Sequence, residues 1–244
     1  MNYLFVVAHP DDEVLGAGGM IYNLIKKNNN IYVCFMCSNA EARKNITNNN
    51  ITEQAINSLK SLGVSKKNII FGTYPNIKLN TIDHLSLVQF IEKAIKTFKP
   101  DVVITHYKSD INIDHKITSD CCDEAIRLFQ RNDKEKEIKK YMYMEVLSAI
   151  DWANNISFSP NYFYEIKKEG LNAKIKALSY YDGALRKYPH SRSINTIEAL
   201  ATLRGSQAKL EYAEAYITAF ERETYEWFKN ISYRLWSNSC TKYH

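Results

Sequence analysis

Short apolar runs alternate with amphipathic segments over the first 146 residues, and this alternation limits the fold more than any other feature of the sequence. The predicted strands are residues 2–8, 31–37, 68–71, 101–106 and 141–146. The predicted helices between them are residues 13–27, 52–62, 84–98 and 115–130, where apolar residues recur every three to four positions. Strands that alternate with helices favour a mostly parallel, doubly wound α/β sheet of Rossmann-like architecture.

The remaining part of the chain adds helices but no second domain. Residues 171–185 and 194–203 are predicted to be helical, and 244 residues are most simply one domain. The glycine-rich stretch Gly16-Ala17-Gly18-Gly19 lies inside the first helix, displaced from the turn, and lacks the spacing of a dinucleotide-binding fingerprint. We interpret these glycines as positions of close helix packing.

Composition excludes several classes of partner. The net charge is +5, but the lysines are scattered, so we expect no nucleic-acid partner. No run is long enough to span a bilayer and no signal peptide is recognisable, so we expect no integral membrane segment. The five cysteines are odd in number, which favours free thiols in the reducing cytoplasm.

Acids and histidines crowd two predicted turns at the ends of strands. His9 and Asp12 lie where the first strand turns into a helix, and His115 follows the strand that ends at residue 106. If those two strands are neighbours, the three side chains converge at one edge of the sheet, where open α/β folds bind their ligands. Two imidazoles and a carboxylate suit Zn²⁺ with an open fourth position, and Fe²⁺, Co²⁺ or Mn²⁺ would accept the same ligands.

Two neighbouring aspartates have chemical roles in this hypothesis. Asp11 adjoins the ligands without being one, so it can take a proton from an activated water and later return it to a leaving group. Asp114 can orient an imidazole from behind. The predicted chemistry is metal-assisted hydrolysis.

Each of these side chains also has an ordinary structural interpretation. Asp11 or Asp12 could cap the helix that follows, and Asp114 could cap the helix that begins near His115. Glu13 is either a first-turn acid or a support for the site. His106 is either a hydrogen-bonded histidine of the strand end or a residue behind the site or facing the substrate.

The motifs that carry these residues resemble the LmbE/PIG-L family of zinc-dependent sugar N-deacetylases. The first is Ala8-His9-Pro10-Asp11-Asp12-Glu13, and the second runs from Thr105-His106 to Asn112-Ile113-Asp114-His115. Later segments resemble one bacterial subgroup: Glu145-Val146-Leu147-Ser148 with Trp152, Pro160-Asn161-Tyr162-Phe163, Pro189-His190-Ser191-Arg192-Ser193, Arg204-Gly205 and Ala213-Glu214-Ala215-Tyr216. The resemblance covers residues 1–222, which we take as the deacetylase domain. Residues 223–244 then form an aromatic, helical tail packed on the domain or on a neighbouring subunit.

The resemblance implies roles for individual residues. His9, Asp12 and His115 would bind zinc and Asp11 would be the general base. Arg43 matches a position that contacts substrate in such enzymes. Several members place a histidine three residues before the last ligand to stabilise the oxyanion, and here that residue is Asn112, which can donate a hydrogen bond but carries no charge.

The same resemblance implies a substrate, against which other functions are weighed. His190 and Arg192 are candidates to line the substrate pocket. The expected activity is removal of acetyl from an N-acetylated amino sugar of the N-acetylglucosamine type, within a glycoconjugate or its precursor. Rivals are a thiol-cofactor or antibiotic precursor as substrate, a non-catalytic metal- or sugar-binding module, and a nucleotide-binding Rossmann protein. Self-association as a homo-oligomer is also expected, without a subunit number.

Overall fold

Residues 1–38, 51–153 and 158–223 are described by the computed structural model. Within these ranges seven strands form one sheet. The strands are β1 (Asn2–Val7), β2 (Asn30–Cys37), β3 (Ile69–Tyr74), β4 (Val102–His106), β5 (Lys140–Met144), β6 (Tyr162–Glu165) and β7 (Ala213–Glu221). The helices are α1 (Asp12–Lys26), α2 (Ile51–Ser61), α3 (His84–Phe98), α4 (Ile113–Ala125), α5 (Leu128–Arg131), α6 (Lys167–Leu178) and α7 (Ile194–Gln207).

The sheet is mixed but mostly parallel. Its strand order is β3-β2-β1-β4-β5-β7-β6, and β1 to β5 run parallel to one another. Strand β7 pairs antiparallel with both β5 and β6. The predicted doubly wound α/β fold is confirmed, with β1 and β4 as direct neighbours at its centre.

Helices cover both faces of the sheet. Alternate residues of β1 enter different cores: Phe5 and Val7 pack with α1, α2, α6 and α7, whereas Leu4 and Val6 pack with α3 and α4. Burial on both faces explains why the parallel strands are continuously apolar in the sequence.

Several boundaries differ from the sequence prediction. Strands β6 and β7 were not predicted. The helix expected over residues 115–130 begins at Ile113, because Asn112 caps its N-terminus. It ends at Ala125, and a separate short helix follows over Leu128–Arg131. The helix expected over 171–185 occupies Lys167–Leu178. The aromatic tail predicted for 223–244 lies outside the described residues beyond residue 223.

The glycine-rich part of α1 allows close packing, as predicted. A Cβ on Gly16 would lie 2.4 Å from Met144 Sδ of β5, and one on Gly19 would lie 2.8 Å from Ile166 Cγ2 beside α6. The helix is also broken at Ala17, whose φ of −148° and ψ of 15° are not helical. The sequence did not predict this break.

Other expectations concern cysteines and membranes. Cys34, Cys37, Cys121 and Cys122 are buried free thiols, and Cys240 lies outside the described ranges. In the part of the chain that the structure describes, no helix combines the length and apolar character that crossing a bilayer requires.

Candidate functional site

The two acid- and histidine-bearing turns meet at the carboxyl edge of the sheet. Because β1 and β4 are neighbours, the turn after β1 and the loop after β4 emerge side by side. Asp12 Oδ2 lies 3.2 Å from His9 Nδ1 and 3.2 Å from His115 Nε2. The three residues are buried, and the most exposed side chain, that of His9, is 11% exposed. Their ligand atoms lie within 4.8 Å of one another, close enough to hold one metal ion.

Each imidazole is held from behind by a carboxylate. His9 Nε2 lies 2.9 Å from Asp114 Oδ2, and His115 Nδ1 lies 2.9 Å from Asp110 Oδ2. These contacts leave one nitrogen of each ring facing Asp12, which is the arrangement that supports metal-binding histidines. The donor set therefore fits a metal ion.

Asp110 is a site residue that the sequence reasoning missed. It is 1% exposed, and it also accepts the backbone N–H of Asn112. Its only signal in the sequence is an acid five residues before His115 in the loop that follows β4.

The carboxylates set the protonation of the two imidazoles. Burial lowers the pKa of His9, but hydrogen bonds to Asp114 and Asp12 outweigh it and raise that pKa well above its usual value. Burial likewise opposes the charge of His115, and Asp12 and Asp110 raise its pKa to about 9. A cation is thus electrostatically favoured at this place, and a metal ion would compete with protons for the same nitrogens.

His106 lies behind the cluster. Its Nε2 accepts the N–H of Ala8 at 2.9 Å, and its ring stacks on His115 with centroids 3.9 Å apart. Burial, followed by the charge of His115, lowers the pKa of His106 well below its usual value. A neutral, fully buried ring in this position supports the turn after β1 and does not line the cleft.

Asp11 does not act as a side-chain cap. It precedes α1, but its carboxylate makes no capping hydrogen bond, and its φ of 104° is a left-handed value that non-glycine residues avoid. Its Oδ2 instead lies 2.9 Å from Arg192 Nη1. Backbone strain of this kind is concentrated at functional sites.

Glu13 supports the strained residue. It is fully buried, and it accepts hydrogen bonds from the backbone N–H of Asp11 at 3.1 Å and from the hydroxyl of Tyr181 at 2.5 Å. Burial raises the pKa of Glu13 to about 8. Tyr181 is a second residue that the sequence reasoning missed, because it lies 168 residues away in the chain.

Arg192 is brought into the cleft, whereas His190 is not. Arg192 donates from Nε to Ser148 Oγ at 2.5 Å in addition to its ion pair with Asp11. His190 is exposed, and its Nδ1 accepts the backbone N–H of Arg192 at 2.9 Å. Arg43, the remaining predicted substrate contact, lies outside the described residues.

Asn112, and not Asp114, caps α4 with its side chain. Asn112 Oδ1 accepts the N–H of Asp114 at 2.9 Å. This hydrogen bond occupies the side-chain oxygen of Asn112. Within the described residues, no acceptor is hydrogen-bonded to the side-chain nitrogen Nδ2. Asp114 is occupied elsewhere, because it accepts the N–H groups of Ile77 and Leu79 as well as the ring of His9.

Several of these residues line one cleft of about 510 Å³. Clefts of roughly 300–1,000 Å³ are typical of sites for small organic ligands. The polar part of the lining comes from the turns after β1 and β4, from Asn76 after β3, and from the segments that carry Ser148 and Arg192. The lining residues are His9, Asp11, Asp12, Asn76, Ile77, Ile111, Asn112, Ile113, His115, Ser148, Ala149 and Arg192.

Comparison with known families decides the relationship. A family model described as "PIG-L: GlcNAc-PI de-N-acetylase" matches residues 4–126, slightly more than half of the 244 residues. The chain belongs to the PIG-L family. The matched range includes both turns of the cleft, and the resemblance stated from the sequence motifs is confirmed.

Solved structures share the fold of this PIG-L family chain. The N,N'-diacetylchitobiose deacetylase from Pyrococcus horikoshii is 17% identical with a TM-score of 0.67, and the match covers 89% of this chain and 83% of that one. A zinc-inhibited form of the teicoplanin deacetylase Orf2 is 16% identical with a TM-score of 0.67, with coverage of 91% and 99%.

A third structure with this fold has another activity. GalB, the 4-carboxy-2-hydroxymuconate hydratase from Pseudomonas putida KT2440, is 19% identical with a TM-score of 0.72, and the match covers 91% of this chain and 98% of that one. Identities this low establish the fold alone. The reaction of this PIG-L family chain therefore depends on the chemical groups of its own site.

Proposed function

We propose that this chain is a zinc-dependent hydrolase that removes the acetyl group from an N-acetylated amino sugar of the N-acetylglucosamine type. The observation that carries the proposal is the position of Asp11, which lines the same cleft as His9, Asp12 and His115 and is held by Arg192. A site that only bound a metal for stability would not need a strained carboxylate beside the ligands.

The donor set favours zinc. Two imidazoles and one carboxylate leave a coordination position open, which is typical of catalytic zinc sites. Zinc bound by His9, Asp12 and His115 would polarise the acetamide carbonyl and make water acidic at neutral pH. Asp110 and Asp114 would orient the two imidazoles through the hydrogen bonds already described.

The residues of the chain supply the proton transfers. Asp11 accepts a proton from the water that attacks the acetamide carbon and returns it to the nitrogen of the departing amino sugar. Arg192 holds one oxygen of Asp11 and so fixes the carboxylate for both transfers. Asn112 donates from its amide to the carbonyl oxygen as negative charge develops there.

An acetate-release screen with the zinc-loaded protein tests this function. The panel contains N-acetylhexosamines, their nucleotide conjugates, lipid-linked forms, and acetylated thiol-cofactor and antibiotic precursors. We expect acetate release from an N-acetylated amino sugar, loss of release on chelation, and recovery with added zinc. Turnover confined to the non-glycan precursors would contradict the substrate class. Binding of sugars without acetate release from any compound would favour the non-catalytic module.

A further inference from the structure

Three exposed isoleucines share the candidate active-site cleft. Ile77, Ile111 and Ile113 are 47%, 53% and 39% exposed, and all three line the cleft with His9 and His115. Ile77 lies in the loop after β3, Ile111 lies in the loop after β4, and Ile113 is the first residue of α4. Single exposed apolar residues are ordinary, but a cluster beside polar groups in a concave site is typical of a ligand-binding surface.

The backbone of Ile77 is strained and tied to the site. Its φ of 58° is left-handed, a conformation that a β-branched residue avoids. Asp114 accepts the N–H of Ile77 at 2.5 Å and the N–H of Leu79 at 3.0 Å, so the loop is tied to the carboxylate that holds His9. Leu79, two residues later, is 1% exposed. The same loop thus buries one apolar side chain and presents the other to the cleft.

The second loop is built in the same way. Ile111 and Ile113 flank Asn112, whose side-chain oxygen caps α4. Asp110, the residue before Ile111, contacts the ring of His115. Both isoleucines are therefore fixed relative to the imidazoles. The lining also includes the polar side chains of Ser148 and Arg192. The cleft therefore combines an isoleucine wall, formed by Ile77, Ile111 and Ile113, with polar side chains.

We propose that Ile77, Ile111 and Ile113 form an apolar subsite that binds a hydrocarbon or aromatic substituent attached to the amino sugar. The inference rests on the proposed deacetylation, and it adds the class of the substrate. The acetamide and the sugar hydroxyls lie toward His9, His115 and Arg192, while the apolar substituent covers the isoleucine wall. A free monosaccharide would leave that wall in water, so it would be the poorer substrate.

The test compares methyl and octyl glycosides of N-acetylglucosamine as substrates. We expect the octyl glycoside to have a KM about tenfold lower, since each methylene placed in an apolar site strengthens binding. In Ile111→Ser and in Ile111→Ser/Ile113→Ser, the ratio of kcat/KM for octyl over methyl should fall about tenfold. Leu203→Ser is the matched control, because Leu203 is 52% exposed on α7 and does not line the cleft.

A binding measurement keeps the subsite testable without turnover. Calorimetry with the deacetylated methyl and octyl glycosides should give the same preference for octyl and the same loss in Ile111→Ser. Equal affinity for both glycosides, or a preference that survives in Ile111→Ser, would overturn the subsite. Acetate release without an octyl preference would leave the deacetylase intact and reject only this inference. A change of oligomeric state in Ile111→Ser, with no change in glycoside binding, would assign the wall to a protein interface.

Discussion

At the scale of single residues, the strained backbone of Asp11 is the feature that most needs support. A non-glycine residue in the left-handed region costs on the order of 1–3 kcal/mol and persists only where its surroundings fix it. Here Glu13 accepts the N–H of Asp11, and Tyr181 donates to Glu13. Glu13 and Tyr181 are buried and do not line the cleft, yet they determine the position of Asp11, the proposed base.

Tyr181→Phe should therefore impair catalysis without impairing zinc binding. Losing the hydroxyl leaves Glu13 with one donor fewer and loosens Asp11, so we expect kcat to fall about tenfold with KM within about twofold. Zinc content should be unchanged. Tyr180→Phe is the matched control, since Tyr180 is 40% exposed and adjacent in the sequence. Equal effects of the two substitutions, or a wild-type kcat in Tyr181→Phe, would refute this positioning role.

Asp110→Asn should weaken metal binding. Without the carboxylate charge behind its ring, His115 is a poorer and less well oriented ligand, and the affinity for zinc should fall about 10- to 100-fold. Competition with a fluorescent chelator measures the dissociation constant. The exposed Asp133→Asn should keep the wild-type affinity. An unchanged affinity in Asp110→Asn would refute the support that Asp110 gives to His115 as a ligand.

At the scale of secondary-structure elements, the break in α1 is stabilised by a strand from the far end of the chain. Glu214 of β7 accepts the N–H groups of Gly19 and Met20, at 3.0 and 2.7 Å, just after the break at Ala17. Lys174 of α6 neutralises the carboxylate at 2.8 Å. Glu214 thereby acts as the cap of the second half of α1 and joins three elements.

Glu214→Gln should destabilise the whole domain. The substitution leaves Lys174 as a buried cation without its partner, a change that typically costs about 3–5 kcal/mol. Urea unfolding monitored by circular dichroism gives the free energy of unfolding. Glu211→Gln, at an exposed position two residues before β7, should change it by less than about 0.5 kcal/mol. Similar stabilities for the two variants would contradict the capping role.

Asp101 joins the starts of β1 and β4, and its contribution to the stability of the fold should depend on pH. Burial opposes its charge, but the N–H of Asn2 and the ammonium of Lys136 outweigh burial and lower the pKa of Asp101. A folded-state pKa below the unfolded value means that the stabilisation is present above about pH 4 and is lost as pH falls through the folded pKa.

Asp101→Asn should therefore lower the free energy of unfolding by about 1 kcal/mol at pH 7 and by less at pH 3. Unfolding free energies at the two pH values measure the difference, and Asp133→Asn should show none. A cost that is the same at both pH values would mean that the charge of Asp101 contributes nothing.

At the scale of the whole molecule, the sequence predicted what depends on local patterns. Each of the five parallel strands is apolar enough to be predicted from its own sequence. The turns after β1 and β4 each hold acids and a histidine within a few residues, so they could also be predicted. Strands β6 and β7 were missed because β6 has only four residues and β7 buries a charged residue, Glu214, so neither shows a clean apolar alternation.

The contacts that the sequence did not predict join distant parts of the chain. Arg192 was expected in the substrate pocket, but its ion pair with Asp11 spans 181 residues. The pair of Tyr181 and Glu13 spans 168. Such pairs depend on how α6 and the segment before α7 pack on the sheet, which no local spacing encodes. Asp110 was overlooked although it is local, because an acid in a polar loop has many ordinary interpretations.

The most direct test of the central claim measures acetate release and bound zinc in the same samples of wild type and Asp11→Asn. In Asp11→Asn we expect kcat to fall about 10²- to 10⁴-fold with zinc content unchanged, because Asp11 transfers protons and does not hold the metal. Asp83→Asn, which alters the exposed cap of α3, should release acetate at the wild-type rate. Wild-type acetate release by Asp11→Asn, or loss of its zinc, would contradict the account.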